Sequence, residues 1–178
     1  MLLGRIEDGA DVALVSDAGT PGISDPGYRL IKLAVESGVK VVSIPGPSAL
    51  VSVLSVSGLP LDEFTYKGFL PANPTRLRKF LLSLKGTEHT YVVFESARRV
   101  VDALRAVHDV LGDIEVIIGR EMTKMHEEII RGRAASLARD LAARTLKGEV
   151  TMVLRTARAE VTPVGVDDEL EALLRSGF

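Results

Sequence analysis

Two aspartates, Asp17 and Asp25, bracket a loop whose residue types suit the binding of a small polar ligand. Glycine and proline fill five of the nine positions from 19 to 27, which makes the backbone irregular and lets it approach a ligand closely. Carboxylates there suit ribose hydroxyls or an amine, and no Lys or Arg lies between Asp17 and Gly27 to hold a phosphate. The alternative is an ordinary connection in which Asp25 caps a helix that starts at Pro26.

A second loop, Pro45-Gly46-Pro47-Ser48, also follows an apolar run. In an open α/β sheet, ligands bind where loops leave the carboxyl ends of strands. The hydroxyl of Ser48 is also well suited to cap the helix that follows, and capping alone would explain the residue.

The elements that must position these loops alternate between strands and helices. We predict strands at 12–16, 39–44, 64–69, 89–94, 115–120, 128–133 and 149–156, and helices at 26–37, 48–57, 75–84, 98–111, 136–145 and 167–174. Such alternation is typical of parallel α/β layers. A Gly/Pro-containing boundary at 58–62 divides the chain into a first unit at 1–61, a second α/β unit at 62–157 and a tail at 158–178.

Composition limits the classes of protein. Of 178 residues, 46% are hydrophobic, and none is cysteine, which excludes disulfides and thiol metal ligands and fits a cytoplasmic protein. No apolar run is long enough to span a bilayer, and the charged N-terminus does not resemble a signal peptide. Because the net charge is only −2, any affinity for RNA must come from a local basic patch.

Seven motifs in one order carry a resemblance to a known family. They are VALVSDAGTPGISDPG at 12–27, IPGPSA at 44–49, SGLP at 57–60, GFLP at 68–71, FES at 94–96, EMTKMHEEIIRG at 121–132 and KGEV at 147–150. This series resembles the bacterial 16S ribosomal RNA (cytidine-2'-O)-methyltransferases, a branch of the tetrapyrrole methylase superfamily. The order of several motifs is far more specific than a single Gly-rich loop.

The resemblance implies two α/β domains of the tetrapyrrole methylase type, with S-adenosylmethionine bound in the cleft between them. It also implies small-subunit ribosomal RNA as the substrate, in an assembled subunit, and a homodimer. The cofactor-binding residues that it implies are Asp17, Ala18, Gly19, Ser24, Asp25, Pro26, Ser48 and Ala49.

Methyl transfer to a ribose hydroxyl needs alignment of the attacking oxygen and removal of a proton. Our candidates for assisting that proton transfer are Glu95, Lys124 and Glu127. His126 lies in the same polar run, but HEE is not HExxH, and we predict no metal site. An exposed turn with compensating ion pairs would explain the run equally well.

Two basic clusters could neutralise RNA phosphates, although solvated helix faces are the alternative. They are Arg76, Arg78 and Lys79 in one predicted helix and Arg98, Arg99 and Arg105 in the next. The family commonly has ESPHR where this chain has ESARR at 95–99, so any role of that proline and histidine is absent.

Family members carry an N-terminal stretch with TPIGN-like and DTR-like motifs that this sequence lacks. We therefore expect the first domain to be incomplete at its N-terminus, through truncation, a misplaced start codon or a gene remnant. Two alternatives to the rRNA activity stay open: a tetrapyrrole or other small-molecule methylase of the same fold, and a non-catalytic fragment or dimerisation remnant.

Overall fold

The computed structural model describes residues 2–158, so the predicted helix at 167–174 lies outside the described residues. Its elements are α1 Leu2–Glu7, α2 Tyr28–Glu36, α3 Ala49–Ser55, β1 Phe64–Phe69, α4 Pro74–Leu82, β2 His89–Ser96, α5 Val100–Leu111, β3 Glu115–Arg120, β4 Glu128–Arg133, α6 Ala134–Ala142 and β5 Glu149–Thr156. None of the helices within 2–158 is long and apolar enough to cross a membrane.

The five strands form one mixed sheet in the order β1-β2-β5-β3-β4. Only β1 and β2 are parallel, while β5 runs antiparallel to both of its neighbours and β3 runs antiparallel to β4. The prediction of parallel layers is therefore wrong for most of this sheet. For β3 and β4, the reason is their short connection, which has no crossover helix and so forces the two strands into a hairpin. The other two antiparallel pairs arise because β5 enters between β2 and β3.

The sheet is buried on both faces, because its central strands are apolar at nearly every position. Helices α4, α5 and α6 cover one face, where Val93, Val116 and Met152 lie in the larger core cluster. Helix α3 covers the other face, where Leu50 and Val53 pack with Val92, Ile117, Val153 and Met122. Helix α3 is thus the element of the first 61 residues that docks on the sheet.

The two strands predicted at 12–16 and 39–44 are wrong. Neither segment forms a strand, because no ladder hydrogen bonds join it to another strand within the described residues. Their apolar side chains remain in solvent, with Val15 82% and Ile44 75% exposed. An apolar β-branched run satisfies the pattern of a strand, yet a strand also needs a partner for its backbone groups.

Four of the strands have the predicted bounds, and the helices differ by a few residues at their ends. Helix α4 begins at Pro74 because the Asn73 side chain caps it and proline suits the first helical position. The segment between α3 and β1 is tied to the sheet: Thr90 donates to the carbonyl of Pro60 (3.2 Å), and Arg131 donates to that of Val56. The division of the chain at residues 61 and 157 stays a prediction.

Candidate active site

A cleft of about 240 Å³ lies where the two small-residue loops meet the ends of the strands. Its lining comprises residues 17–21, 23–25 and 47–50 from the first part of the chain, and Phe69, Phe94, Glu95, Met122, Thr123, Lys124, Glu149, Val150 and Thr151 from the second. The structure therefore brings together most of the predicted site residues. Pro26 and Glu127 do not line the cleft.

The two loops are held against one another by backbone contacts. The amide of Thr20 donates to the carbonyl of Pro47 (3.2 Å). Gly19 has a φ of +74°, and a Cβ added there would lie 2.9 Å from the same carbonyl oxygen. Only glycine allows this approach, so the first loop is shaped as a cradle with a bare backbone.

The first loop is also anchored to the sheet. Ser24, at a φ of +58°, shares a hydrogen bond of 2.5 Å with the hydroxyl of Tyr66 on β1. Burial raises the pKa of Tyr66, and nearby Asp25 acts in the same direction. A left-handed non-glycine residue is strained, and such strain is concentrated at functional sites.

Helix capping explains Ser48 in the second loop but not Asp25 in the first. The hydroxyl of Ser48 accepts a hydrogen bond from the amide of Val51 (3.5 Å), so Ser48 is the N-cap of α3 as its type predicts. Helix α2, by contrast, begins at Tyr28, and its N-cap is Gly27 with no capping side chain. Asp25 therefore lines the cleft and does not cap the helix, which favours a ligand-binding role.

An ion-pair cluster forms the opposite wall of the cleft. Lys124 Nζ lies 2.8 Å from Glu149 Oε2 and 3.3 Å from Glu121 Oε1. The hydrogen bond to Glu149 and the contact with Glu121 raise the pKa of Lys124, while the hydrogen bond from the Glu149 amide lowers that of Glu121. Lys124 is thus held as a cation, which argues against a role as proton acceptor.

The loop from β3 to β4 that carries this cluster has an unusual backbone. Glu121 and Thr123 both have positive φ, at +48° and +66°. The carboxylate of Glu127 accepts a 2.6 Å hydrogen bond from the amide of Thr123 and so fixes the turn. Glu127 therefore shapes the cleft from outside it. His126 is exposed in the same loop and does not line the cleft.

The carboxylate of Glu95 is buried, and both of its oxygens accept hydrogen bonds. Its Oε1 accepts from Arg99 Nε (2.8 Å) and from the amide of Ser96 (2.6 Å), and its Oε2 accepts from Arg99 Nη2 (2.8 Å). Protonation of Glu95 would break this forked pair, so the geometry suits positioning better than proton transfer. Arg99 also donates to the carbonyl of Leu70 (3.0 Å), which links the ends of β1 and β2.

Sequence reasoning missed the aromatic wall of the cleft. Phe94 makes edge-on contacts with Tyr66 and Phe69, at ring centroid distances of 5.0 and 5.5 Å. Phe69 is 58% exposed and lines the cleft beside Asp17 and Asp25. The signal was present, because both phenylalanines lie within the GFLP and FES motifs, but periodicity could not place them side by side.

The comparisons agree with the motif series. The model of the family "Tetrapyrrole (Corrin/Porphyrin) Methylases" matches residues 1–138. Proteins named ribosomal RNA small subunit methyltransferase I are 44% identical over 86% of this chain in Thermotoga maritima, 43% over 97% in Mesorhizobium japonicum and 41% over 99% in Mycobacterium tuberculosis. The chain spans only 68%, 60% and 62% of the length of these relatives.

Solved structures share the fold. The methyltransferase CobJ superposes with a TM-score of 0.64 at 16% identity, over 87% of this chain and 68% of its own. Uroporphyrin-III C-methyl transferase from Thermus thermophilus, complexed with S-adenyl homocysteine, gives 0.55 at 19% identity, over 86% of this chain and 70% of its own. At these identities the likeness concerns the fold alone.

Proposed function

Since the chain belongs to the family of tetrapyrrole (corrin/porphyrin) methylases, we propose that it binds S-adenosylmethionine and methylates the 2'-hydroxyl of a cytidine ribose in small-subunit ribosomal RNA. The RNA substrate is proposed from the names of relatives that are 41 to 44% identical. A homodimer and a cytoplasmic location are part of the same proposal: the resemblance to the superfamily supports the first, and a ribosomal substrate supports the second. The observation that carries the proposal is the cleft itself.

The lining of the cleft fits this cofactor chemically. Of the four carboxylates in its lining, Glu95 is paired with Arg99 and Glu149 with Lys124, whereas Asp17 and Asp25 make no ion pair within residues 2–158. An excess of negative charge suits a ligand with a sulfonium and an amino group, and Asp17 and Asp25 suit ribose hydroxyls as well. The bare backbone at Gly19 and the small side chains of Ala18 and Ala49 leave space for a compact ligand.

The cofactor, when bound, supplies an electrophilic methyl group. The residues of this chain then align the ribose 2'-hydroxyl with the methyl group and assist the removal of its proton. We assign Glu95 and Arg99 to shaping the strand ends, Glu127 to fixing the turn at Thr123, and Lys124 to holding Glu149 at the cleft. Glu149 is left as a carboxylate that can accept a proton, because only its Oε2 is engaged by Lys124 among the described residues.

The proposal is tested by titrating S-adenosylmethionine into the purified chain by calorimetry, with Asp25→Asn as the variant and Asp62→Asn, an exposed aspartate outside the cleft, as its matched control. We expect saturable binding, weakened about tenfold by Asp25→Asn, which corresponds to about 1.4 kcal/mol for a charge-assisted contact. Tritium from the labelled methyl group should appear in small-subunit rRNA as 2'-O-methylcytidine. Absence of saturable binding of S-adenosylmethionine would refute the proposal.

A further inference from the structure

A second concavity, which we call the α4–α5 groove, lies between helices α4 and α5 and has a volume of about 320 Å³. Glu95 belongs to both its lining and that of the cleft. The lining of the groove also includes Pro71 and Ala72, which lie just past the end of β1. The two concavities therefore meet at the carboxyl ends of β1 and β2, and the Glu95–Arg99 pair forms the partition.

The partition is held by several hydrogen bonds and still has donors to spare. The Nε–H and both Nη2 hydrogens of Arg99 are used by Glu95 and by the carbonyl of Leu70. The Nη1 group has two further donors, and no acceptor for them is found in residues 2–158. Because the Arg99 side chain is 36% exposed and lines the groove, these donors are available to a ligand there.

The groove combines an apolar floor with a rim that carries both signs of charge. Leu77, Ala103, Ala106 and Val110 supply the floor, and Arg78, Arg99, Asp102 and Asp109 supply the rim. Asp102 is paired with Arg105 at 3.0 Å, whereas Asp109 makes no ion pair with any described residue. Two aspartates disfavour a purely anionic ligand, so the groove suits a partly apolar group that offers both donors and acceptors.

A cytosine base meets that description. Its exocyclic amine donates to carboxylates, its carbonyl oxygen and ring nitrogen accept from guanidinium groups, and its faces pack on apolar side chains. We propose that the α4–α5 groove receives the base of the nucleotide to be methylated, with Asp109 accepting from the exocyclic amine and Arg99 donating to the base. The ribose then lies over the Glu95–Arg99 partition, beside the cleft. This inference rests on the proposed function and deepens it.

Filling the groove tests the inference. Ala106 is half-buried on α5 and does not line the cleft, so Ala106→Trp blocks the groove alone; His108→Trp places the same bulk on an exposed position of the same helix outside it. Binding of a fluorescein-labelled single-stranded oligocytidylate is measured by anisotropy, and S-adenosylmethionine binding by calorimetry. We expect Ala106→Trp to weaken oligocytidylate binding at least tenfold while both variants bind the cofactor as the wild type does. Unchanged oligocytidylate binding by Ala106→Trp would overturn the inference.

A second variant tests the base assignment without adding bulk. Asp109→Asn should lower the preference for oligocytidylate over oligouridylate, since uracil has no exocyclic amine to donate to the carboxylate. Asp140→Asn, an exposed aspartate on α6, is the matched control and should keep the preference. An unchanged preference in Asp109→Asn, or no oligocytidylate binding by the wild type, contradicts the inference even where the cofactor binds. Failure of cofactor binding alone contradicts the proposed function, and the RNA titration still decides the groove.

Discussion

The contact between Gly148 and Glu121 gives a prediction whose magnitude can be worked out. Gly148 has a φ of +92°, and a Cβ there would overlap Oε1 and Cδ of Glu121. Gly148→Ala therefore adds backbone strain of about 2 kcal/mol for a left-handed non-glycine residue. It also drives the Glu121 carboxylate from its bonds to the Glu149 amide (2.9 Å) and to Lys124 (3.3 Å), which costs about another 2 kcal/mol.

A matched glycine separates the two contributions. Gly86 has a φ of +95°, and nothing lies within 4 Å of a Cβ built on it, so Gly86→Ala reports the strain alone. Urea unfolding followed by circular dichroism should place Gly148→Ala about 2 kcal/mol below Gly86→Ala, from the charged hydrogen bonds that only the first variant loses. In a Glu121→Ala background, Gly148→Ala should cost no more than Gly86→Ala.

The reasoning would be refuted by equal losses of stability in Gly148→Ala and Gly86→Ala. It would equally be refuted if the cost of Gly148→Ala were the same with and without the Glu121 side chain. Either result would mean that the carboxylate moves aside without losing a bond that matters. The contact would then have no part in fixing the wall of the cleft.

Two further predictions concern the aromatic wall and the acidic limb of stability. Phe69→Ala should raise the dissociation constant for S-adenosylmethionine about tenfold, a loss within the ~1–3 kcal/mol typical of stacking a base on an aromatic ring. Phe64→Ala, on the same strand but outside the cleft, should leave this dissociation constant unchanged. Calorimetry measures both. The backbone bond from Glu149 lowers the pKa of Glu121, and for Glu128 hydrogen bonds from Arg144 and Arg120 lower the pKa although burial alone would raise it. Both carboxyls therefore stabilise the fold above the unfolded value of 4.5, and this stability is lost as pH falls through their folded pKa values. The melting temperature should decrease as the pH is lowered below 4.5. Glu128→Gln should lower the melting temperature at pH 7 and make its decrease at acidic pH less steep, whereas Glu63→Gln should do neither. An equally steep decrease in Glu128→Gln would contradict this.

Local patterns predicted the second half of the chain well. Strands β3 and β5 keep their predicted bounds, because each is a mainly apolar run next to charged or turn-forming residues. Strand β4 also keeps its predicted bounds, although only Ile129 and Ile130 in it are apolar. These local patterns could not predict which strands pair with one another. Nothing local indicates that β5 enters between β2 and β3, and for that reason the prediction of parallel strands was wrong for β5 and its two neighbours.

For the site as well, the sequence predicted the residues of the loops but not their partners across the cleft. Asp17, Asp25 and Ser48 stood out because loop chemistry is local, and the structure gathers them in one cleft. The wall opposite depends on the neighbourhood of β3 and β5, which brings Glu149 to Lys124 across 25 positions of sequence. Such a contact follows only from the order of strands in the sheet, so sequence could name Lys124 but not its partners.

The central place of β5 has a consequence for how the chain is made. Strands β2 and β3 are not paired with one another, and each is paired with β5; the contact between His89 of β2 and Thr156 of β5 spans 67 residues. During synthesis, the β1–β2 pair and the β3–β4 hairpin can form early, but they remain two separate halves until residue 156 has left the ribosome. Translation that stops before Glu149 leaves β2 and β3 each with an unpaired edge and forms no continuous sheet. Of the five described strands, the one synthesised last therefore joins the halves and completes the Lys124–Glu149 wall of the cleft.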